Sequence, residues 1–325
     1  MRLRMLTCVV AVLAIGWLAP GVAGAQAEAQ DVPRLPWGAP DLQGVWDFRS
    51  LTPMQRPEEL ADREVFTAEQ AANFAEETIR QRSRDNDTSD RVVPYNDFWF
   101  DEGTSVTTDR TSLIVDPPDG RIPALTEEAQ ARQAALTEAR REVSAHEPTP
   151  GGFVEDLGPG GLQVRCILGF NSGPPMAPSA YNNNVQVFQT EDTVVLFAEM
   201  NHNARVVPLD GRGRLDDGIR LWTGDARGHW EGDTLVVTTT NFLRETNFQR
   251  GATTRNLTLT ERFTRVDPDT LRYDVTVDDP AVWTRPWTYS VPMRNNPEPV
   301  YEYACHEGNY GLENILAGAV AEGSH

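Results

Sequence analysis

Asn256-Leu257-Thr258-Leu259-Thr260-Glu261-Arg262-Phe263-Thr264-Arg265-Val266, followed by Asp267-Pro268-Asp269 and then Leu271-Arg272-Tyr273-Asp274-Val275-Thr276-Val277, is the stretch on which the fold class turns. Apolar or aromatic side chains recur at alternate positions on both sides of a turn-forming Asp-Pro-Asp. That is the pattern of two half-buried antiparallel strands joined in a hairpin. The same texture continues outward in both directions. Residues 184–189, 193–200, 204–208, 234–242, 285–292 and 300–305 are each rich in β-branched and aromatic residues. Turn formers separate them at Glu191-Asp192, Asp210-Gly211, Glu231-Gly232-Asp233 and Asn295-Asn296-Pro297. Short strands in consecutive hairpins predict a mainly β protein, an antiparallel meander closing into a lipocalin-like barrel or folding as a sandwich.

Upstream the texture changes. Residues 26–57 are Pro-rich and irregular apart from a strand-like run at 41–48, where Gly44-x-Trp46 resembles the opening of lipocalin-type barrels. Thr67-Ala68-Glu69-Gln70 is a capping box, with Thr as N-cap and Gln reaching back, and it predicts a helix to about Arg82. Thr126 caps a second, Ala- and Glu-rich helix from Glu127 to about Ser144. The expected organisation is a signal peptide at 1–25, a wrapping region with two flanking helices at 26–160, and an antiparallel β domain at 161–325. The last two should form one compact unit.

Composition removes several chemistries. The chain carries 29 basic and 48 acidic residues, a formal charge of −19, and every basic side chain is arginine. Without lysine there is no Schiff base, no P-loop lysine and no Ser-x-x-Lys dyad. So acidic a surface repels phosphate backbones and anionic lipid, so neither nucleic acid nor membrane insertion after signal cleavage is expected.

Arg2 and Arg4 precede an apolar run from Met5 to Leu18, and Ala23-Gly24-Ala25 is a small-x-small cleavage pattern. The run is shorter than the roughly 20 residues of a membrane span, so a cleaved signal and a periplasmic or extracellular protein are expected. Cleavage after Ala25 removes Cys8 and leaves Cys166 and Cys305. In an oxidising compartment these two are expected to form one disulfide. Closing a loop of about 140 residues would stabilise the fold by roughly 4–5 kcal/mol in the chain-entropy description. The alternative is a reactive thiol, Cys166 beside Arg165 or Cys305 beside His306.

Four further stretches carry a resemblance: 36–46 (Pro36-Trp37-Gly38-Ala39-Pro40-Asp41-Leu42-Gln43-Gly44-Val45-Trp46), 110–121 (from Arg110-Thr111-Ser112-Leu113-Ile114-Val115 to Gly120-Arg121), 228–237 (Gly228-His229-Trp230-Glu231-Gly232-Asp233-Thr234-Leu235-Val236-Val237) and 301–310 (Tyr301-Glu302-Tyr303-Ala304-Cys305-His306-Glu307-Gly308-Asn309-Tyr310). Together they resemble a large family of uncharacterised secreted bacterial proteins. The resemblance spans nearly all of the mature chain. It implies a secreted, largely β protein and brings no catalytic residues with it.

The usual catalytic signatures are missing: no Gly-x-Ser-x-Gly, no His-Glu-x-x-His, no Cys-x-x-Cys and no Gly-x-Gly-x-x-Gly after a strand. What remains is acid–base chemistry assembled from separate strands. His202 lies in Met200-Asn201-His202-Asn203 between two strands, and His306 follows Cys305 on a loop the disulfide would pin at a barrel rim. Glu261 shares the inward face of Leu257, Leu259 and Phe263, where burial would raise its pKa toward that of a general acid unless an arginine such as Arg165 or Arg205 pairs with it. His146 and His325 are expected in solvent. Tyr181, Asn183, Arg165, Trp287 and Tyr303 are the candidate ligand contacts, since aromatic walls with a few polar groups suit a ring-bearing or otherwise apolar small molecule. No cofactor is expected; were a metal bound, His202, His229 and His306 would be its ligands. The leading expectation is a secreted acid–base lyase, isomerase or hydrolase acting on a small organic molecule. The alternative is a non-catalytic periplasmic binding protein using the same cavity, and their separation rests on whether the histidines and Glu261 converge in one pocket.

Overall fold

The computed structural model describes residues 32–85, 97–107, 109–143, 149, 161–243, 246 and 254–321. The expected signal peptide, Cys8, His146 and His325 lie outside the described residues. The fold is mainly β. Ten strands form one antiparallel sheet: β1 (Gly44–Asp47), β2 (Ile114–Asp116), β3 (Asn184–Gln189), β4 (Thr193–Ala198), β5 (Ala204–Pro208), β6 (Asp225–Glu231), β7 (Thr234–Thr240), β8 (Thr258–Asp267), β9 (Thr270–Asp278) and β10 (Trp287–Asn296). The order across the sheet is β5-β4-β3-β1-β10-β9-β8-β7-β6, with β2 added beside β10. Two meanders, β3 to β5 and β6 to β10, are thus stitched together by β1, which pairs with β3 on one side and β10 on the other. Strands from both sides of residue 160 therefore share one sheet.

Hairpin chemistry sets the registers. Glu231 pairs with Thr234 across a two-residue turn in which Gly232 has φ +58°, a left-handed conformation that glycine reaches without a Cβ clash. Leu259 pairs with Val277 and Phe263 with Tyr273, so the alternation of 256–277 places one apolar face inward as expected. That face meets Trp46, Val187, Leu196, Trp287, Tyr289 and Val291 in one core, all essentially unexposed. Each such large apolar side chain contributes roughly 1.5–3 kcal/mol by leaving water.

The sheet curls until its end strands meet. Gly228 of β6 lies so close to Val207 and Leu209 that a Cβ there would come within 2.8 and 2.5 Å of their side chains. Among the described residues, however, no hydrogen-bonded ladder joins β5 to β6, and this leaves a seam. The segment around Met176, itself buried, reaches Tyr273 and Tyr289 in the interior.

The helices lie outside. In α1 (Ala68–Arg82) the Thr67 hydroxyl accepts from Gln70 N at 3.2 Å and the Gln70 side chain accepts from Thr67 N at 3.0 Å, the reciprocal cap read from sequence. It packs Ala71 beside Leu60 and Phe66. α2 (Glu127–Ala139) buries Ala129 alone. α3 (Gly161–Val164) is one turn, and α4 (Tyr310–Ala321), unforeseen in the sequence, starts where Asn309 Oδ1 accepts from Leu312 N. Two expectations need correction. Residues 300–305 form no strand: Pro297 and Pro299 lack N–H donors, and the segment bonds to side chains at the sheet's end instead. The strand expected to reach Met200 stops at Ala198, because Asn201 and His202 turn into the left-handed region at φ +57° and +49°. No described helix is long and apolar enough to cross a membrane.

Candidate functional site

Glu261 points inward, as its alternation requires, and is fully buried. Arg205 of β5 meets it with both terminal nitrogens, Nη1 to Oε2 at 2.8 Å and Nη2 to Oε1 at 3.0 Å. Tyr273 donates its hydroxyl proton to Oε1 at 2.6 Å and accepts from Met176 N at 3.1 Å, while Tyr289 donates to Met176 O at 2.8 Å. Burial opposes the charge on Arg205, yet the Glu261 carboxylate and its hydrogen bonds hold the guanidinium above the ordinary arginine value. Burial, then the nearby Glu261 charge, pushes both tyrosines well above the usual phenol value. Arg205 is one of the two arginines whose pairing would make Glu261 structural. Both of its oxygens are engaged by a bidentate cation, and the cluster is a closed structural network.

The histidines do not gather. His229 is exposed on β6 and lies 3.1 Å from Glu231, which also pairs with Arg262 at 2.9 Å. His306 is exposed. Among the described residues no three His, Cys, Asp or Glu side chains converge, so His202, His229 and His306 do not form a metal site. Cys166 and Cys305 are joined, with Cα atoms 5.8 Å apart, and the reactive-thiol alternative falls with that bond.

Of the expected ligand contacts, Asn183 is buried and turned into the loop network. Its Oδ1 accepts from Asn171 Nδ2 and Ser179 N, and its Nδ2 donates to Asp101 O and Ser179 O. Trp287 is fully buried among Trp283 and Tyr289 in the core. Tyr181 packs edge-on against Phe170 and Phe100, and Arg165 sits in the turn before Cys166. Tyr303 donates its backbone N–H to His202. These five side chains do not line a common cavity with His202 among the described clefts.

His202 does line a cleft. The turn between β4 and β5 supplies Asn201, His202 and Asn203, with Ala204 opening β5. Leu221, Trp222 and Thr223, just before β6, face them, and Ile167 and Leu168, next to the disulfide, complete a cavity of about 400 Å³. The cleft therefore occupies one end of the β5/β6 seam, where the missing ladder leaves room. The His202 ring stacks on Phe197 at 5.6 Å between centroids. Its Nε2 accepts from Tyr303 N at 2.7 Å and stands 3.1 Å from Tyr301 O. The chain after β10 is thus tied twice beside the cleft, by His202 and by the disulfide.

Two features here escaped the sequence. Glu199 is buried, its Oε2 accepting from Asn184 Nδ2 at 2.7 Å and its Oε1 from Tyr301 N at 3.3 Å, so it anchors the same turn and tail. Alternation along 193–199 gave no signal for it, since the inward face is Val194, Leu196 and Ala198 and the period of two puts Glu199 outward. Asn201 carries two buried polar atoms, Oδ1 and Nδ2, with no hydrogen-bond partner among the described residues. An orphaned buried amide costs roughly 1–3 kcal/mol, and left-handed backbone at non-glycine residues adds to it. No protein-family model, curated protein or solved structure matches this chain.

Proposed function

We propose that the chain is an extracytoplasmic binding protein for a small, partly apolar organic molecule, seated in the cleft at the end of the β5/β6 seam. One observation carries this reading: the cleft joins apolar walls, Ile167, Leu168, Leu221 and Trp222, to the polar residues Asn201 and Asn203, and among the described residues His202 is the sole titratable one lining it. An open cleft lined by both apolar side chains and convergent polar groups can hold a small ligand by its apolar body and a polar edge. Acid–base turnover needs a second proton-transfer group. Glu261, one of the candidates in sequence, is instead bound by Arg205 in the interior. The closed Cys166–Cys305 bond supports secretion, since such bonds persist in oxidising compartments. The lipocalin-like expectation enters in altered form, with the ligand at the rim because the interior is filled by Trp46, Phe263, Tyr273 and Tyr289.

The test is a titration with Nile red, a neutral hydrophobic dye, followed by its emission shift. Wild-type protein is expected to saturate, and Trp222→Ala to weaken the dye by about tenfold or more through loss of an aromatic wall. Val206→Ser, on an exposed outward position of β5, is the control and should leave the titration unchanged. Equal binding by wild type and Trp222→Ala, or no saturation at all, would overturn the cleft as the site.

A further inference from the structure

We infer that the ligand of this cleft presents a paired hydrogen-bond donor and acceptor, as in a carboxamide, lactam or urea edge, to the side chain of Asn201. The inference rests on the cleft being the binding site and names the chemistry recognised there.

Among the described residues, several strong polar groups nearby are already matched. Arg205, Glu261 and Tyr273 saturate one another, Glu199 accepts from Asn184 and Tyr301, and His202 Nε2 accepts from Tyr303. Asn201 differs: both of its amide atoms are shielded from solvent and neither has a partner among the described residues. Buried polar groups in folded proteins are nearly always paired, so a side chain with both donor and acceptor unmet is a place for something that brings both. Its backbone points to the same conclusion. Asn201 and His202 are consecutive left-handed residues, and such strain persists where the surroundings hold it and gathers at ligand clamps.

The two faces of the site then divide the labour. Trp222 and Leu221 on the side of β6 take the apolar body of the ligand, while the β4–β5 turn on the opposite side takes its polar edge. The Asn201 amide is shielded from solvent in this structure. A small displacement of residues 201–202, which relaxes left-handed backbone, brings it to the ligand. A carboxamide pairs with an asparagine side chain through two parallel N–H···O bonds, one given and one received. A carboxylate repels Oδ1, and an ester or ketone satisfies only Nδ2.

The test compares benzamide with methyl benzoate, which keeps the ring and the carbonyl but has no N–H, by calorimetric titration and by displacement of Nile red. Benzamide is expected to bind wild-type protein about tenfold more tightly, the effect of one net hydrogen bond with its desolvation. Asn201→Gly keeps the left-handed turn and deletes the amide, so it should bind both compounds equally. It should also melt about 2–4 °C higher without any ligand, since an orphaned group and backbone strain both disappear. Asn201→Asp keeps the shape and the turn, and should lose the preference for benzamide as well. If Asn201→Gly still prefers benzamide, or melts several degrees lower, Asn201 is an internally satisfied structural residue and the inference fails while the cleft stands. If neither compound displaces Nile red from wild type although Trp222→Ala abolishes dye binding, the cleft reading survives and the donor–acceptor chemistry is overturned. Absence of all binding, dye included, overturns both.

Discussion

The interior of the curled sheet around Glu261 and the seam end around His202 make an instructive pair. Each presents a residue that alternation or a turn motif marks for chemistry, and each is walled by aromatic side chains. In the interior the polar groups answer one another: Arg205 holds both oxygens of Glu261, and Tyr273 links that carboxylate to Met176. At the seam end the apolar walls are open to a cavity, the turn is strained and the Asn201 amide is unanswered. A saturated network explains itself as structure, whereas an unsaturated one beside a cavity calls for a ligand.

The contrast breaks most severely if the interior pair proves dispensable. Arg205→Met leaves a buried carboxylate without its cation and is expected to lower the unfolding free energy by about 3–5 kcal/mol. Adding Glu261→Leu should recover most of that loss, since an apolar replacement removes the second charge as well. Urea unfolding of the two variants measures both; a single variant within 1 kcal/mol of wild type would reopen Glu261 as a site residue.

Alkaline titration sharpens the same point. Tyr273 and Tyr289 have folded values raised well above 10, so the unfolded chain releases these two protons first. Their stabilising contribution is complete below about pH 10 and declines as pH rises further, by about 1.4 kcal/mol per pH unit for each tyrosine. Absorbance at alkaline pH should show both phenols ionising together with unfolding. A separate, reversible ionisation of either in folded protein would mean that water reaches the interior.

At the seam end the tethers should matter less to the barrel. Cys166→Ser with Cys305→Ser is expected to reduce stability by clearly less than the roughly 4–5 kcal/mol that chain entropy assigns to such a loop. The reason is that residues 301–321 bury little, so the folded state gains freedom too when the bond is gone. Hydrogen exchange should speed up in residues 301–321 while the β8–β9 hairpin stays protected. His306→Ala gives the smallest effect, within about 0.5 kcal/mol, because its side chain is exposed. Loss of Nile red binding in that variant would bring His306 back into the site.

Local pattern made much of this molecule legible. Alternation placed the hairpin of 256–277 and turned Glu261 inward, the Thr67-x-x-Gln70 box started α1, and two cysteines far apart in sequence became one bond. All of these depend on neighbours within a few residues, or on an elimination that leaves one pair. The insertion of β1 between β3 and β10, the meeting of Arg205 with Glu261 across 56 residues, and the facing of 201–204 by 221–223 depend on which strands lie side by side. That is a matter of how a twisted sheet curls and where its ladder stops, and a period of two carries no record of it. Sequence therefore determined most of the strands, the inward face of the 256–277 hairpin and the disulfide. Tertiary structure decided that the inward carboxylate has an arginine partner and that a cleft opens at the end of the seam, because only packing in three dimensions settles which polar groups find each other.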